Sequence, residues 1–487
     1  MSEFSECFNR IRVNKNLYAA DIARLMNMDS STISKWLNGE RKPKKREVLE
    51  KLLNKMKLSD VDRKLLTEAY EEEFIGKEKY QCIKLWFEII KEIQNKRKYT
   101  TKIELGGVKQ DCVDAALPVT NYANRIELLQ GIQNVFNYIM CRNIKKIYLR
   151  FDIFNPDVML LLNMFINKGY ECEIDLIIFP KSASIDQKVF ALSLMKEVIS
   201  LWAENASFQI YISENVDELN SEDNFIMTDE FVLQYHQDLS GGLLSSEASW
   251  INFWKDKFIS WKKICRRLFS LTSIDNIFDR YNSWTENEPC DNMSWEYMPC
   301  FAMMLDEDTL NRFLYDTLPV KEQMMQMILE VIVMSESDNK NPKTLLNWFS
   351  MEGLRSFMDN GVFSTLPQEP FYNPVSLPDC IKILERYIYM SSIGRMKPQL
   401  VKDEYNLILK DVFIEPSFGE PQFLRFSLSN NEVLTSKIMN INDKDMVESY
   451  MEFCDYLCNA GYVMSIEDTI EKLKDVLEEY KGKIDKV

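Results

Sequence analysis

Near its N-terminus the chain alternates apolar and polar positions in the pattern of short amphipathic helices. The apolar residues recur at helical spacing in four runs, at positions 4–11, 22–26, 33–37 and 48–56. Asp29 stands before the third run, where its carboxylate can accept hydrogen bonds from the first N–H groups of a helix. Gly39 follows that run and suits the left-handed conformation that ends many helices. The pattern therefore predicts a bundle that contains two short helices joined by a tight turn, which is helix-turn-helix geometry.

From about residue 141 the pattern changes to apolar strands that alternate with helices. The segments expected to form strands are IKKIYLRFDIF, ECEIDLIIFP, SFQIYIS and NFIMTDEFVLQYH, the last as a strand or a hairpin. Asn155 and Pro156 begin a helix after the first strand, since proline is favoured at the first helical position. Residues 186–204 predict a second helix. This β-α-β-α-β order implies an open sheet with parallel strands.

The C-terminal half divides by composition into a helical, aromatic part and a mixed part. Trp250, Trp254, Phe258 and Trp261 recur at helical spacing, which indicates either core packing or the wall of a ligand pocket. Several prolines between residues 367 and 378 indicate a boundary, after which paired strands and two helices are expected.

The predicted fold class is a multidomain chain, mainly α with α/β regions. An all-α helix-turn-helix bundle is followed by an open α/β domain and by helical and α+β C-terminal regions. The predicted domains are 1–75 (helix-turn-helix, DNA-binding), 76–110 (helical linker), 111–240 (α/β sensor), 241–366 (mainly helical) and 367–487 (α+β). A broad apolar stripe in the linker needs a partner, which is either the next domain or a second copy of the chain in a homodimer.

Charge is distributed unevenly along the 487 residues. The whole chain carries a formal net charge of −16, which is unfavourable for contact with a polyanion. Residues 1–60, however, hold 13 Lys and Arg against 8 Asp and Glu, a net charge of +5, so the remainder carries −21. One basic module attached to an acidic remainder is expected when that module meets nucleic acid and the rest avoids it.

The third predicted helix and the basic residues after it form the candidate interface with double-stranded DNA. Short polar side chains keep the outer face of this helix slim, so it can enter a major groove about 12 Å wide. Ser30, Ser31 and Thr32 are assigned to base edges, because the N-terminal residues of such helices read the bases. Ser34 and Lys35 are assigned to bases or phosphate. Phosphates are assigned to the basic residues that follow, which are Arg41, Lys42, Lys44, Lys45 and Arg46. In the alternative, the basic run is a solvated loop and the bundle is a protein-interaction module.

The segment LYAADIARLMNMDSSTISKWLNGERKP, at residues 17–43, resembles the Cro/repressor-like (XRE) family of bacterial regulators. The matching features are the small Ala23 where two helices cross, the apolar Met28 in the turn, the run STISKW, and the Gly and Pro after it. Two positions depart from the family, in which Ser or Thr often caps the second helix and Gln follows. Tyr18 and Ala19 stand there in this chain. The resemblance implies a helix-turn-helix domain that binds double-stranded DNA.

The single histidine and the scattered cysteines argue against several classes of enzyme. Because His236 is the only histidine, catalysis through imidazole and His-rich zinc sites are not expected. The eleven cysteines form no CxxC pair, which is typical of a reduced, cytosolic protein. No apolar run is long enough for a membrane span, and no nucleotide-binding glycine pattern occurs. We therefore expect a cytoplasmic protein with no cofactor, no metal, no membrane partner and no enzymatic activity.

Together these observations predict a sequence-specific DNA-binding transcriptional regulator. Its large C-terminal region would sense a small-molecule or peptide effector, or would form a homodimer. The alternative is an enzyme or phage-defence effector that carries an autoregulatory DNA-binding head. In that case Asp152 and Asp175 are candidate metal ligands. Independently of this alternative, Lys181 and Ser182 at the strand ends either meet an anion or belong to ordinary connecting loops.

Overall fold

The computed structural model describes most of the chain and divides it into two compact units. The described residues are 2–96, 119–151, 155–168, 170–178, 186–199, 206–213, 223–274, 293–301, 304–316, 321–323, 325–326, 329, 344–364, 372–405, 407, 410, 412–417, 422–430 and 435–484. Unit 1 comprises Met1–Phe87 together with Ser449–Ala460, and unit 2 comprises Glu88–Glu448 together with Gly461–Val487.

Helices and strands are both abundant, so the chain is a multidomain protein of mixed α/β class. The helices are α1 (Glu3–Asn14), α2 (Ala19–Met26), α3 (Ser30–Leu37), α4 (Arg46–Lys55), α5 (Asp60–Ile75), α6 (Lys77–Lys96), α7 (Arg125–Arg142), α8 (Pro156–Ile166), α9 (Gln187–Ile199), α10 (Ala248–Ile264), α11 (Glu307–Phe313), α12 (Met351–Asn360), α13 (Leu377–Ser392), α14 (Lys444–Asn459) and α15 (Ile466–Ile484). The strands are β1 (Thr120–Tyr122), β2 (Lys146–Arg150), β3 (Cys172–Ile178), β4 (Ala206–Ile212), β5 (Asp223–Met227), β6 (Val232–His236), β7 (Gly242–Ser245), β8 (Arg266–Ile274), β9 (Met293–Trp295), β10 (Leu345–Phe349), β11 (Met396–Leu400), β12 (Val412–Ser417), β13 (Phe423–Asn430) and β14 (Thr435–Ile441). None of the described helices is both long enough and apolar enough to span a bilayer.

Helices α1 to α5 enclose the first core of unit 1. Phe4, Phe8, Ile22, Ile33 and Leu66 are fully buried in one apolar cluster to which all the predicted apolar runs contribute. Helices α2 and α3 have eight residues each. Helices this short are marginal on their own in water, so packing of their apolar faces must hold them in place.

A segment distant in sequence completes unit 1. The part of α14 from Ser449 onwards lies beside α6, where the indole N–H of the fully buried Trp86 donates to Ser449 Oγ at 3.1 Å. The Trp86 ring also meets Tyr450 edge-on, with centroids 5.0 Å apart, and stacks near Phe453 at 6.4 Å. Since an aromatic cluster of this kind buries a large apolar area, it fixes the part of α14 from Ser449 onwards firmly within unit 1.

Unit 2 is built on one sheet of fourteen strands. Their order is β1-β7-β6-β5-β2-β3-β4-β8-β14-β13-β12-β9-β10-β11. The parallel strands β2, β3 and β4 and the hairpin of β5 and β6 confirm the strands predicted after residue 141. The antiparallel pair β12 and β13 and the helices α14 and α15 confirm the elements predicted near the C-terminus.

The sheet contains the same seven-stranded arrangement twice. Its first half reads β1-β7-β6-β5-β2-β3-β4, and its second half reads β8-β14-β13-β12-β9-β10-β11. Each strand of the second half thus corresponds to the strand seven places earlier. The parallel pairs of one half match those of the other, as do the antiparallel pairs. The antiparallel pairing of β4 with β8 joins the two halves. Unit 2 is therefore a tandem duplication of one strand topology.

This arrangement crosses the boundaries predicted from the sequence. Residues 241–366, expected to be mainly helical, contribute strands β7 to β10 to the sheet. The predicted aromatic helix is present as α10, but it ends at Ile264, and the next residues, RRLFSLTSI, form β8. Trp254, Phe258 and Trp261 are buried in an apolar cluster, so that stripe is core. In the linker, Trp86, Ile89, Ile90 and Ile93 are likewise buried within this chain, so core packing accounts for its apolar stripe.

Six neighbouring strands of the sheet each carry a polar residue at the same level, so that these residues form a row across the sheet. The residues paired in register along this row are Glu415, Arg425, Asn440, Ser270, Gln209 and Asp175. Asp175 forms ion pairs with Lys146 at 3.3 Å and with Lys262 at 2.8 Å. The preceding and following residues on these strands are largely apolar and buried, as Ile174 and Leu176 are. If one strand shifted by one residue against its neighbour, its polar residue would move to the opposite face of the sheet. The row therefore helps to specify strand register across the junction of the two halves.

Candidate nucleic-acid interface

Helix α3 presents a short polar face opposite its buried apolar face. Asn27 adopts the left-handed conformation at φ 55° and ends α2, and α3 begins after a turn of residues 27–29. Ile33, Trp36 and Leu37 point into the core. The end of α3 is held from α1, because Asn9 Nδ2 donates to the carbonyl oxygen of Leu37 at 2.6 Å. This positioning role of Asn9 was not predicted, since the contact joins residues that are distant in sequence.

The predicted N-cap of α3 is confirmed. Asp29 Oδ1 accepts a hydrogen bond from the Ser31 N–H at 2.7 Å. At the start of α2, Asp21 Oδ2 accepts from the Tyr18 N–H at 2.9 Å. The helix therefore receives a side-chain cap even though Tyr18 stands where the resembling family often has Ser or Thr.

Because Asp29 titrates, its N-cap hydrogen bond should make the stability of the fold depend on pH. The hydrogen bond from the Ser31 N–H lowers the pKa of the Asp29 carboxyl group. The cap therefore stabilises the fold above the unfolded-state pKa of about 3.9, and this contribution is lost as the pH falls through the folded-state pKa. Asn is an equally good N-cap but does not titrate. In urea unfolding, Asp29→Asn should match the wild type near neutral pH and lose less stability on acidification. Parallel losses in both proteins would contradict this role.

The ten residues assigned to DNA from the sequence differ in accessibility. Those that are exposed are Ser30, Ser31, Arg41, Lys44 and Lys45, and those that are half-buried are Thr32, Ser34, Lys35, Lys42 and Arg46. The three serines, Thr32 and Lys35 thus lie on α3, and the other five basic residues follow this helix in the chain.

Two of the basic residues are held by contacts inside unit 1. Arg46 Nε donates to Glu71 Oε1 at 2.6 Å, and Arg46 Nη2 donates to Glu71 Oε2 at 2.7 Å. Glu71 is only 3% exposed. The hydrogen bond to Glu71 raises the pKa of the Arg46 guanidinium. Lys42 Nζ donates to the carbonyl oxygen of Glu73. Arg46 and Lys42 are therefore engaged in contacts within unit 1, and their assignment to phosphate stays a prediction.

A cleft of about 470 Å³ lies beside the basic run. It brings cations, carboxylates and aromatic rings together within unit 1. Its lining consists of Lys44, Lys45, Arg46, Glu47, Phe74, Ile75, Lys79, Ile83, Glu452, Asp455, Tyr456 and Asn459. The last four belong to α14, so a segment some four hundred residues further along the chain forms one wall. No sequence signal links this segment to the basic run.

Unit 2 offers no metal site in the part of the chain that the structure describes. No group of three or more His, Cys, Asp or Glu residues is placed to hold an ion there. Asp175 is engaged by two lysines, and its proposed partner Asp152 lies outside the described residues, as do Lys181 and Ser182. The metal and anion sites predicted from the sequence therefore have no structural support among the described residues.

Comparison with known proteins gives similarity at the level of structure alone. No family model and no curated protein matches the chain. Among solved structures, it is similar to polyphosphate kinase from Porphyromonas gingivalis, with 8% identity and a TM-score of 0.22 over 69% of this chain. It spans about half of that protein, 49% of its length. It is also similar to phosphatidylserine synthase from Haemophilus influenzae Rd KW20, with 10% identity and a TM-score of 0.23, over 76% of this chain and 95% of that one.

Both of these proteins are named as enzymes, and this finding overturns two predictions made from the sequence. The chain was predicted to be a transcriptional regulator and to lack enzymatic activity. The error arose because the prediction relied on the N-terminal module and on missing motifs, whereas most of the chain lies in unit 2. Identities and TM-scores this low transfer no substrate, reaction or catalytic residue to this chain.

Proposed function

We propose that unit 1 is a head that binds double-stranded DNA and places unit 2, the larger part of the chain, on the duplex. The observation that supports this most is the accessible face of α3. Ser30 and Ser31 are exposed at the N-terminal end of a short helix whose other face is anchored in the core. A helix with such small outward side chains fits the major groove and can offer hydroxyl groups to base edges.

The charges around α3 agree with contact to a phosphate backbone. Within the described part of the chain, Lys35, Arg41, Lys44 and Lys45 form no ion pair. Each can therefore neutralise a phosphate without first breaking an ion pair. Release of counterions then favours binding, with a salt slope of about 0.9 for each phosphate neutralised. Exposed acidic groups that lie more than about 10 Å from these cations are largely screened at 0.1 M salt.

The resemblance of residues 17–43 to the XRE family supports the same proposal, since that family uses a helix-turn-helix to bind DNA. The turn of residues 27–29 between α2 and α3 agrees with such a motif. In this proposal the DNA-binding head serves the activity of unit 2, for targeting or autoregulation. The homodimer and the effector ligand stay predictions.

The proposal predicts different roles for Ser31 and Lys44. Lys44→Ala should weaken binding to all duplexes alike and reduce the salt slope by about 0.9, because it removes a phosphate contact. Ser31→Ala should instead reduce discrimination between the preferred duplex and a scrambled one, because it removes a base contact. The measurement is fluorescence anisotropy with both duplexes over a series of salt concentrations, after footprinting of the purified protein on genomic DNA has identified the preferred site. Identical effects of the two variants would contradict this division.

A further inference from the structure

The acidic side chains of α14 face the same cleft as two cations of the proposed DNA interface. Lys44 and Lys45 are exposed at this cleft, and Glu452 and Asp455 line it from α14. A phosphate drawn to the two lysines would approach these carboxylates as well. Charges of the same sign within about 10 Å repel one another at ordinary salt concentrations.

The position of these carboxylates is fixed by packing of α14. The contact of Trp86 with Ser449 and Tyr450 anchors one part of the helix. Further along, the Arg46 guanidinium lies over the ring of Tyr456, 5.0 Å from its centroid. Arg46 is itself held by Glu71, so the wall formed by α14 is joined to the start of α4. The carboxylates therefore cannot move away from the basic run without loss of buried contacts.

The two carboxylates contribute little to holding the fold. Glu452 forms an ion pair with Lys79 at 3.3 Å, and both side chains are more than one-third exposed. Ion pairs as exposed as this one contribute little to stability. Asp455 is exposed and forms no ion pair among the described residues. Their placement beside Lys44 and Lys45 thus has an electrostatic effect that can be separated from packing.

We propose that Glu452 and Asp455 act as an internal brake that lowers the affinity of unit 1 for the DNA backbone at Lys44 and Lys45. This inference rests on the proposed DNA binding of unit 1 and adds α14 to that interface. It means that the strength of DNA binding is set jointly by the N-terminal helices and by a segment close to the C-terminus.

The test compares the wild type with Glu452→Gln/Asp455→Asn in the full chain, by anisotropy with the preferred duplex. The double variant should bind about three- to tenfold more tightly at about 0.05 M salt, and the gain should shrink as salt screens the charges. Asp455→Asn alone should give a smaller gain in the same direction without touching the ion pair of Glu452. A charge-matched control, Glu471→Gln/Asp475→Asn on α15, removes the same charge from exposed positions that do not line the cleft and should gain less affinity than the double variant on α14.

The outcomes separate this inference from the proposed function. If the wild type binds DNA and the α14 variants bind no more tightly than the control, the brake does not exist. If the control gains as much as the α14 variants, net charge alone explains the effect, and the brake is again refuted. If neither the wild type nor any variant binds duplex DNA, the proposed function itself fails.

Discussion

Replacement of Arg46 by Ala is expected to lower the free energy of unfolding of unit 1 by about 3 kcal/mol. The guanidinium makes two hydrogen bonds to Glu71, whose side chain is 4% exposed, while that of Arg46 is 20% exposed. Removal of Arg46 leaves a buried carboxylate without its cation, which costs more than loss of the contact alone. The substitution also removes the cation that lies over Phe74 and Tyr456.

The measurement is hydrogen–deuterium exchange of peptides from α4 and α5, together with urea unfolding of the full chain. Lys45→Ala is the matched control, because Lys45 is adjacent and exposed and forms no ion pair among the described residues. It should leave exchange unchanged. Arg46→Lys should recover only part of the loss, because Lys cannot make the two parallel hydrogen bonds. Equal protection in Arg46→Ala and Lys45→Ala would contradict the structural role of Arg46.

The expected loss of stability in Arg46→Ala decides which residue of the basic run can be used to test DNA contact. Arg46→Ala should weaken binding to DNA, but through loss of structure at the start of α4. The same loss after Lys44→Ala, in a protein with unchanged hydrogen exchange, would indicate direct contact with phosphate. Arg46 is therefore unsuitable as a probe of the interface, although it is part of the basic run in the sequence.

Local chemistry made helices α1 to α4 of unit 1 predictable from the sequence. Asp29 was identified as an N-cap because its side chain needs only the next turn of the chain to form its hydrogen bond. The core positions of α1 to α4 follow from helical spacing in the same way. In unit 2, the alternation of apolar strands with helices was sufficient to predict the parallel strands β2 to β4.

Contacts between distant segments could not be predicted. The strand β8 pairs with β4 and β14, and no local pattern specifies those partners. The duplication of the sheet is likewise a property of strand order, which no local pattern in the sequence specifies. In the candidate interface, the pairing of Arg46 with Glu71 and the wall contributed by Asp455 both depend on tertiary folding. A basic run therefore looks uniform in the sequence, although its members have different roles in the structure.

The most direct test is the affinity of the full chain for its preferred duplex before and after substitution of the polar face of α3. Ser31→Ala/Thr32→Ala/Lys35→Ala removes two hydroxyl groups and one cation from positions that are exposed or half-buried. We expect the dissociation constant to rise about 100-fold at constant salt, because base contacts typically contribute about 1–3 kcal/mol each. Circular dichroism and the unfolding midpoint should stay unchanged. Binding of the folded triple variant within about twofold of the wild type would show that α3 does not read the duplex.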